Sequence, residues 1–419
     1  MRELIKQGGI KKRLHDLLFS LAAILAALIF IALIFAFALP FFEAIIKPLF
    51  AKTNSTDLPS AFYIAKTILF TFSQSVCSVA LAILIAMPGA FFLANRNFAG
   101  KKILASFSAV PLCIPALITA LGYISVFGMS GIYNKILMGI FKLNEPPLTF
   151  IYSFWGIVIC QGFYNFPLIM VTVARLWQKL GTDEEDSARL LGAGNVKIFF
   201  TVTLWKIMSA LISSCIPVFL FCFFSFMIVE LFGTTGGTTL ESAIYHCARS
   251  SLNFKNAAIL SLVETLSAFL ILVFYSLMEN KSEKIQGLNF LSEQKQKKAL
   301  QRREIFPFSF YSLIVILFFV LPYFLIMFSS FTMSKDGSYV FTFKNWIFLF
   351  KSKNFISSIK NTFLTGTGTS FLCTAAAVFY SLFLSSISVS DRMKMFLKII
   401  PVLPMAVSSV VMGIGMAGL

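Results

Sequence analysis

Four consecutive carboxylates, Asp183, Glu184, Glu185 and Asp186, are followed by Ser187, Ala188 and, beyond three more residues, Gly192 and Gly194. Carboxylates so close could serve acid–base chemistry or hold a metal ion, yet no His or Cys stands with them. Their spacing from Thr182 suits another role. Thr182 and Glu185 form the Thr-x-x-Glu pattern of a capping box, and all four acids sit where the positive end of a helix dipole favours anions. The small Ser187 and Ala188 permit close approach of another surface, and the glycines end the helix and redirect the chain. The expected product is a helix–turn–helix elbow built for docking.

Other chemistries lack their residues. The two histidines, His15 and His246, stand apart from any ligand-like cluster, and the seven cysteines fall mainly inside apolar runs without metal-ligand spacing. There is no GxxxxGK[ST] phosphate loop; Gly236-Gly237-Thr-Thr is not one. No Ser/His/Asp or paired-carboxylate arrangement is present, so neither an enzyme nor a bound cofactor or metal is expected. Any energy must come from another subunit or from an ion gradient.

The elements that position the elbow follow from composition. Of 419 residues, 58% are hydrophobic, 50 are Phe and only 13% are charged, beyond the roughly 45–50% apolar content of a soluble domain. Apolar runs of about 20 residues match helices crossing hydrocarbon. They fall near 17–42, 66–94, 103–127, 150–176, 202–229, 257–278, 309–330, 361–387 and 399–419. The fold class is therefore all-α, a polytopic transmembrane bundle of about nine spans. The run from Leu17 to Phe42 is too long for a cleaved signal and is expected to be a retained span. Net charge is +17, but Lys and Arg crowd alternate loops, including 1–16 and 281–303. That asymmetry is the positive-inside rule: it places the N-terminus in the cytoplasm and calls for membrane lipid, with no nucleic acid.

The polar stretch 279–306 links the two parts as a cytoplasmic linker, separating a first unit, 1–278, from a second, 307–419. The parts echo each other: AKTILFTFSQSVCSVALAIL (65–84) with IKNTFLTGTGTSFLCTAAAV (359–378), and AVPLCIPALITALG (109–122) with IIPVLPMAVSSVVMGIG (399–415). The expectation is a six-span unit plus an incomplete second copy, either naturally reduced or a fragment.

Inside the spans, Pro115 and Gly122 can break or closely pack a helix, as can Pro111, Pro167, Pro401, Pro404, Gly413 and Gly415. Asn165 and Tyr164 could contact solute or bond between helices. Glu264 is a carboxylate within a span, which suggests a partner, a wet cavity or a proton path. Glu241 follows Thr238 at capping-box spacing, giving a second capped helix on the outer face, where a docking protein could also reach it.

The elbow resembles the EAA loop of ABC importer permeases: Glu-Ala-Ala, three residues, Gly, nine residues, Ile-x-Leu-Pro. Here Asp186-Ser187-Ala188, Gly192 and Val202-Thr203-Leu204 take those places, and Trp205 stands where the family has Pro. Segments 156–177 and 236–262 resemble fused two-repeat permeases of the ferric-iron and thiamine type. The resemblance implies a bacterial inner-membrane permease subunit that forms the path for a small solute. It also implies two kinds of partner: ATP-binding cassette ATPase subunits, docked at Glu185, Asp186, Ser187, Ala188, Gly192, Val202 and Leu204, and a periplasmic or lipid-anchored solute-binding protein. Translocation or gating falls to Pro115, Gly122, Asn165 and Glu264. The alternatives are an ion-gradient-driven transporter using Glu264 and Glu230, and a split, non-functional permease fragment.

Overall fold

A computed structural model describes residues 34–50, 58–181, 183–233, 237–286, 298–335, 338–386 and 407–418, with single positions 28, 31, 32 and 397. By packing, the chain divides into two units, Thr53–Ser330 and the pair Met1–Lys52 with Phe331–Leu419. Seven helices among the described residues are long and apolar enough to cross a membrane: Ala61–Asn95, Ala116–Phe141, Phe154–Lys179, Asn195–Phe223, Phe254–Val273, Arg302–Ser329 and Lys353–Leu382. Of the predicted span 17–42 just over half lies outside the described residues, and of 399–419 residues 399–406 and 419 do, the rest holding the short apolar helix Ser409–Gly418.

In the unit Thr53–Ser330, helix α1 (Ala61–Asn95) starts where the Ser60 hydroxyl accepts the Tyr63 N–H, the capping that a Ser at this position provides. The run predicted at 103–127 is broken. Ile114 and Pro115 are extended, and α2 (Ala116–Phe127) begins after them. Helix α3 (Phe154–Lys179) lies along α1. The α1 face includes Ala82, Ala86, Gly89 and Ala90, all buried, spaced to repeat on one side of a helix. Small residues let two backbones approach where lipid supplies no hydrophobic drive between helices. A Cβ on Gly89 would strike Tyr311 and Met170, and one on Gly162 would meet Leu81 Cδ2 at 2.8 Å.

Beyond α3 come α4 (Asp183–Leu190), α5 (Leu204–Phe223), α6 (Met227–Phe232), α7 (Leu240–Tyr245) and α8 (Phe254–Gln286). A π turn at Phe199–Thr203 runs into α5, so the chain enters this span without a break at Trp205. The cap of α7 is Thr239, whose side chain accepts the Ser242 N–H at 3.4 Å. This corrects the expected Thr238–Glu241 pairing: the helix starts one residue later, which makes Glu241 its second residue, off the capping-box position and fully buried.

Helices α9 (Arg302–Val315) and α10 (Leu321–Ser329) form one apolar span through a π turn at Ile316–Val320. Two prolines and two tyrosines explain how broken helices persist here. Proline lacks an N–H and so frees the carbonyl four residues earlier. Pro322 frees Phe318 O, which accepts the Tyr123 hydroxyl at 2.6 Å. Pro115 frees Pro111 O, and the Tyr164 hydroxyl lies 3.1 Å from it and 2.7 Å from Ile114 O. Each tyrosine meets the rule that backbone polar groups at membrane depth find a partner within the protein. The α1 end is fastened too. Arg96 grips Glu304 with two nitrogens, Nε at 2.6 Å, while Glu304 also accepts the Gln301 N–H that caps α9.

In the other unit, a hairpin pairs Thr332–Lys335 with Ser338–Phe341. It leads to the helix Lys344–Lys351 and then to α11 (Lys353–Ser386). Helix α12 (Ser409–Gly418) packs on the turn Phe42–Ile46, and Gly415 is pressed against the Pro40 backbone.

Candidate functional site

The elbow is built as its residues require. All four acids occupy the first turn of α4. The helix ends at Gly192, whose φ of +83° is left-handed; Gly192 N donates to Arg189 O at 2.9 Å and Ala193 N to Ala188 O at 3.0 Å. This pair of bonds is a Schellman stop, and a residue with a Cβ would be strained there. Asn195–Ile198 then restarts the helix toward α5.

Two ties hold α4 to the following span. Glu185, 8% exposed, accepts the Thr203 hydroxyl at 2.9 Å. Lys206 Nζ lies 2.8 Å from Glu184 Oε1. The exposed ion pair contributes little, within about 1 kcal/mol; the buried carboxylate with its hydroxyl donor contributes more, about 1.5–3 kcal/mol for a bond to a charged group. Asp186 pairs with Arg189 at 2.7 Å, and the Ser187 hydroxyl bonds back to Asp183 O. Thr182 lies outside the described residues. Val202 and Leu204 are half-buried, and Leu204 packs against the core cluster that includes Trp177 and Ile207.

The sequence pattern did not single out the residues that dominate the free surface of the elbow. Leu190 and Leu191 are each 89% exposed, Val196 72% and Phe200 59%. The available signal was a Leu-Leu pair closing a short polar helix and followed at once by glycine. Exposed apolar side chains beside a polar loop are the kind of surface that a partner or lipid covers.

The residues expected in the path are held in separate contacts. Pro115 sits at the break served by Tyr164. Gly122 packs against Pro322, whose carbonyl oxygen would lie 2.9 Å from an added Cβ. Asn165 is buried in a polar cluster drawn from α1, α3 and α5. There Gln74 Nε2 donates to Cys222 O at 2.8 Å, Ser78 Oγ to Gln161 Oε1 at 2.9 Å, and Asn165 Nδ2 to Gln161 O at 3.1 Å. Gln74 Oε1, Gln161 Nε2 and Asn165 Oδ1 have no hydrogen-bond partner among the described residues. Glu264 is fully buried on α8.

Residues 78–284 match the family described as binding-protein-dependent transport system inner membrane component. The thiamine transport system permease protein ThiP of Brucella abortus is 30% identical over 224 residues, which cover 53% of this chain and 40% of that protein. ThiP of Haemophilus influenzae is 27% identical over 241 residues, 55% of this chain and 43% of that protein. The matches thus span about two-fifths of the length of these relatives. A solved bacterial alginate ABC transporter, in complex with an alginate pentasaccharide-bound periplasmic protein, overlaps 65% of this chain and 96% of its own at 15% identity and TM-score 0.45. Residues 78–284 thus form a domain similar to the inner membrane components of binding-protein-dependent transport systems, in a chain whose described residues include seven helices long and apolar enough to span a bilayer.

Proposed function

We propose that this chain forms the translocation path of an ATP-driven importer for a small solute of the thiamine type, and that 183–206 is the handle on which a separate ATPase subunit acts. The observation that carries this reading is the exposed apolar surface of Leu190, Leu191, Val196 and Phe200 on an elbow tied to α5 by Glu185–Thr203. A surface for docking must be free, and a handle must be stiff. The Schellman stop at Gly192 and the buried carboxylate supply the stiffness. Asp186, Ser187 and Ala188 lie on the same short helix and border the dock, while Val202 and Leu204 root it in the span. Differential contact with the partner in its ATP-bound and ATP-free forms supplies the free energy that shifts the helices between outward- and inward-open states. A solute-binding protein delivers from the opposite face.

Pro115, Gly122, Asn165 and Glu264 are proposed to serve the path. The support is the break at Pro115, the close contact of Gly122 with Pro322, and the buried carboxamides around Asn165 whose bonding capacity is not filled among the described residues. The thiamine assignment is supported by the two ThiP relatives.

The test is capture of the candidate ATPase by the detergent-solubilised chain, followed by ATP-dependent thiamine uptake in proteoliposomes containing the binding protein. Leu191→Asp with Val196→Asp removes two apolar anchors, each worth about 2 kcal/mol at a docking centre. The variant is expected to insert normally and to lose capture by about 100-fold or more. Capture equal to wild type would remove the docking role. Uptake that runs without the ATPase and stops in Glu264→Gln would favour the ion-driven alternative.

A further inference from the structure

Glu230, Tyr63 and His246 meet far from the elbow. Tyr63 stands in the first turn of α1, and Leu93, whose carbonyl takes the Gln178 amide near the elbow end of α3, stands about 45 Å further along the same helix. Around Tyr63 the ends of α6 and α7 close a cavity of about 310 Å³, the lower end of the size range of small-molecule sites. Its wall combines unlike chemistries. Val229 and Ala243 are apolar, Tyr63 offers a ring and a hydroxyl, and Thr238 and Ser242 offer hydroxyls.

The charge in this cavity is one-sided. Glu230 is the one carboxylate among its described lining residues, and none of them is Lys or Arg. Ser242 Oγ donates to Glu230 Oε2 at 3.3 Å, and His246 Nε2 lies 3.2 Å from Oε1. Among the described lining residues the Glu230 carboxylate thus faces hydroxyls, one imidazole and apolar groups, with no permanently charged cation. Cys247, beside His246, adds no charge: burial pushes its thiol up, away from the thiolate. The His246 contact is easily exchanged, since that side chain is 51% exposed and Glu230 is 33% exposed. In a chain of net charge +17, this cup is a local reversal of sign.

We propose that the cavity is a binding site for a small organic monocation. The positive group sits at Glu230 in place of, or beside, the His246 contact. The body of the molecule lies on Val229 and against the Tyr63 ring, whose face attracts cations. The proposal rests on the importer reading only for the side of the membrane from which the cation arrives.

The experiment uses the full chain in lipid nanodiscs without ATPase, with thiamine as the labelled probe and choline as competitor. Wild type is expected to bind thiamine and to release it to excess choline. Glu230→Gln removes the charge, and His246→Lys cancels it while leaving Glu230 in place; both are expected to weaken binding by about tenfold or more. His246→Ala removes the exchangeable contact while leaving Glu230 in place and is expected to bind at least within about threefold of wild type. Monodisperse elution and normal ATPase capture by each variant show that the fold survives. The proposal is overturned if wild type binds neither cation, or if Glu230→Gln and His246→Lys bind like wild type. Wild type that binds the cations but captures no ATPase would count against the importer reading alone, with monodisperse elution then the check on the variants, and wild type that captures the ATPase but binds no cation would count against the cavity alone.

Discussion

Helices α1 and α11 carry echoed sequences and live in different surroundings. The most apolar stretch of α1 is 44% buried within the protein, and that of α11 only 6%. Thr71 on α1 donates to Thr67 O at 2.8 Å and accepts the Leu240 N–H at 2.9 Å, so its hydroxyl joins α1 to α7. Its echo, Thr365, is exposed and donates at 2.7 Å to Asn361 O on its own helix. Gln74 reaches Cys222 O across the bundle; at the echoed position stands Gly368, where an added Cβ would meet nothing within 4 Å. Similar local sequence therefore makes the same helix twice, and only the neighbours turn a polar side chain into a tertiary tie.

The sharpest way to break this comparison is steric. Gly89→Leu drives a side chain into Tyr311 and Met170, and an overpacked core costs about 3 kcal/mol. Gly368→Leu is expected to change stability by less than about 1 kcal/mol, and in the stabilising direction if at all, because Leu is the better helix former. Thermal unfolding of the detergent-solubilised chain measures both, and equal losses would erase the distinction between the two helices. Next in size is the proline repair. Tyr164→Phe leaves the carbonyls at the Pro115 break without their donor and is expected to cost about 1–3 kcal/mol, with Tyr123→Phe similar at Pro322. A melting temperature unmoved in both variants would show that those carbonyls find other donors. The smallest effect separates the echoed threonines. Thr71→Val strands the buried Leu240 N–H and is expected to cost about 1–2 kcal/mol, whereas Thr365→Val should stay within about 0.5 kcal/mol. Proteolysis at the 237–240 segment provides the readout, with faster cleavage expected for Thr71→Val alone.

Much of the elbow was legible because its signals are local. Four acids before a small-residue turn and a glycine two residues past the last helical position specify where α4 begins and ends, since dipole, cap and left-handed stop all act within one turn. The partner of Glu185 was not legible: a capping box explains the residue by itself, yet its carboxylate also takes the hydroxyl of Thr203, eighteen residues on. The exposed leucines escaped notice because an apolar pair in a membrane protein is ordinary until its environment is known. The shift of the second cap from Thr238 to Thr239 has a similar origin, for two adjacent threonines offer equal caps and the burial of Glu241 decides between them.

Composition and the length of its apolar runs determined by themselves that the bilayer is this chain's main solvent and that helices are its elements, because backbone hydrogen bonding and side-chain transfer act residue by residue; they did not determine which prolines interrupt a helix, since Pro167 lies inside the continuous α3 while Pro115 stands at a break. Tertiary structure decided which interrupted carbonyl meets which tyrosine, that Arg96 closes on Glu304 from 208 residues away, and that Glu230, His246 and Tyr63 share one cavity. Those pairings depend on distances between helices, which no local pattern encodes, and the last of them carries the proposal for cation binding.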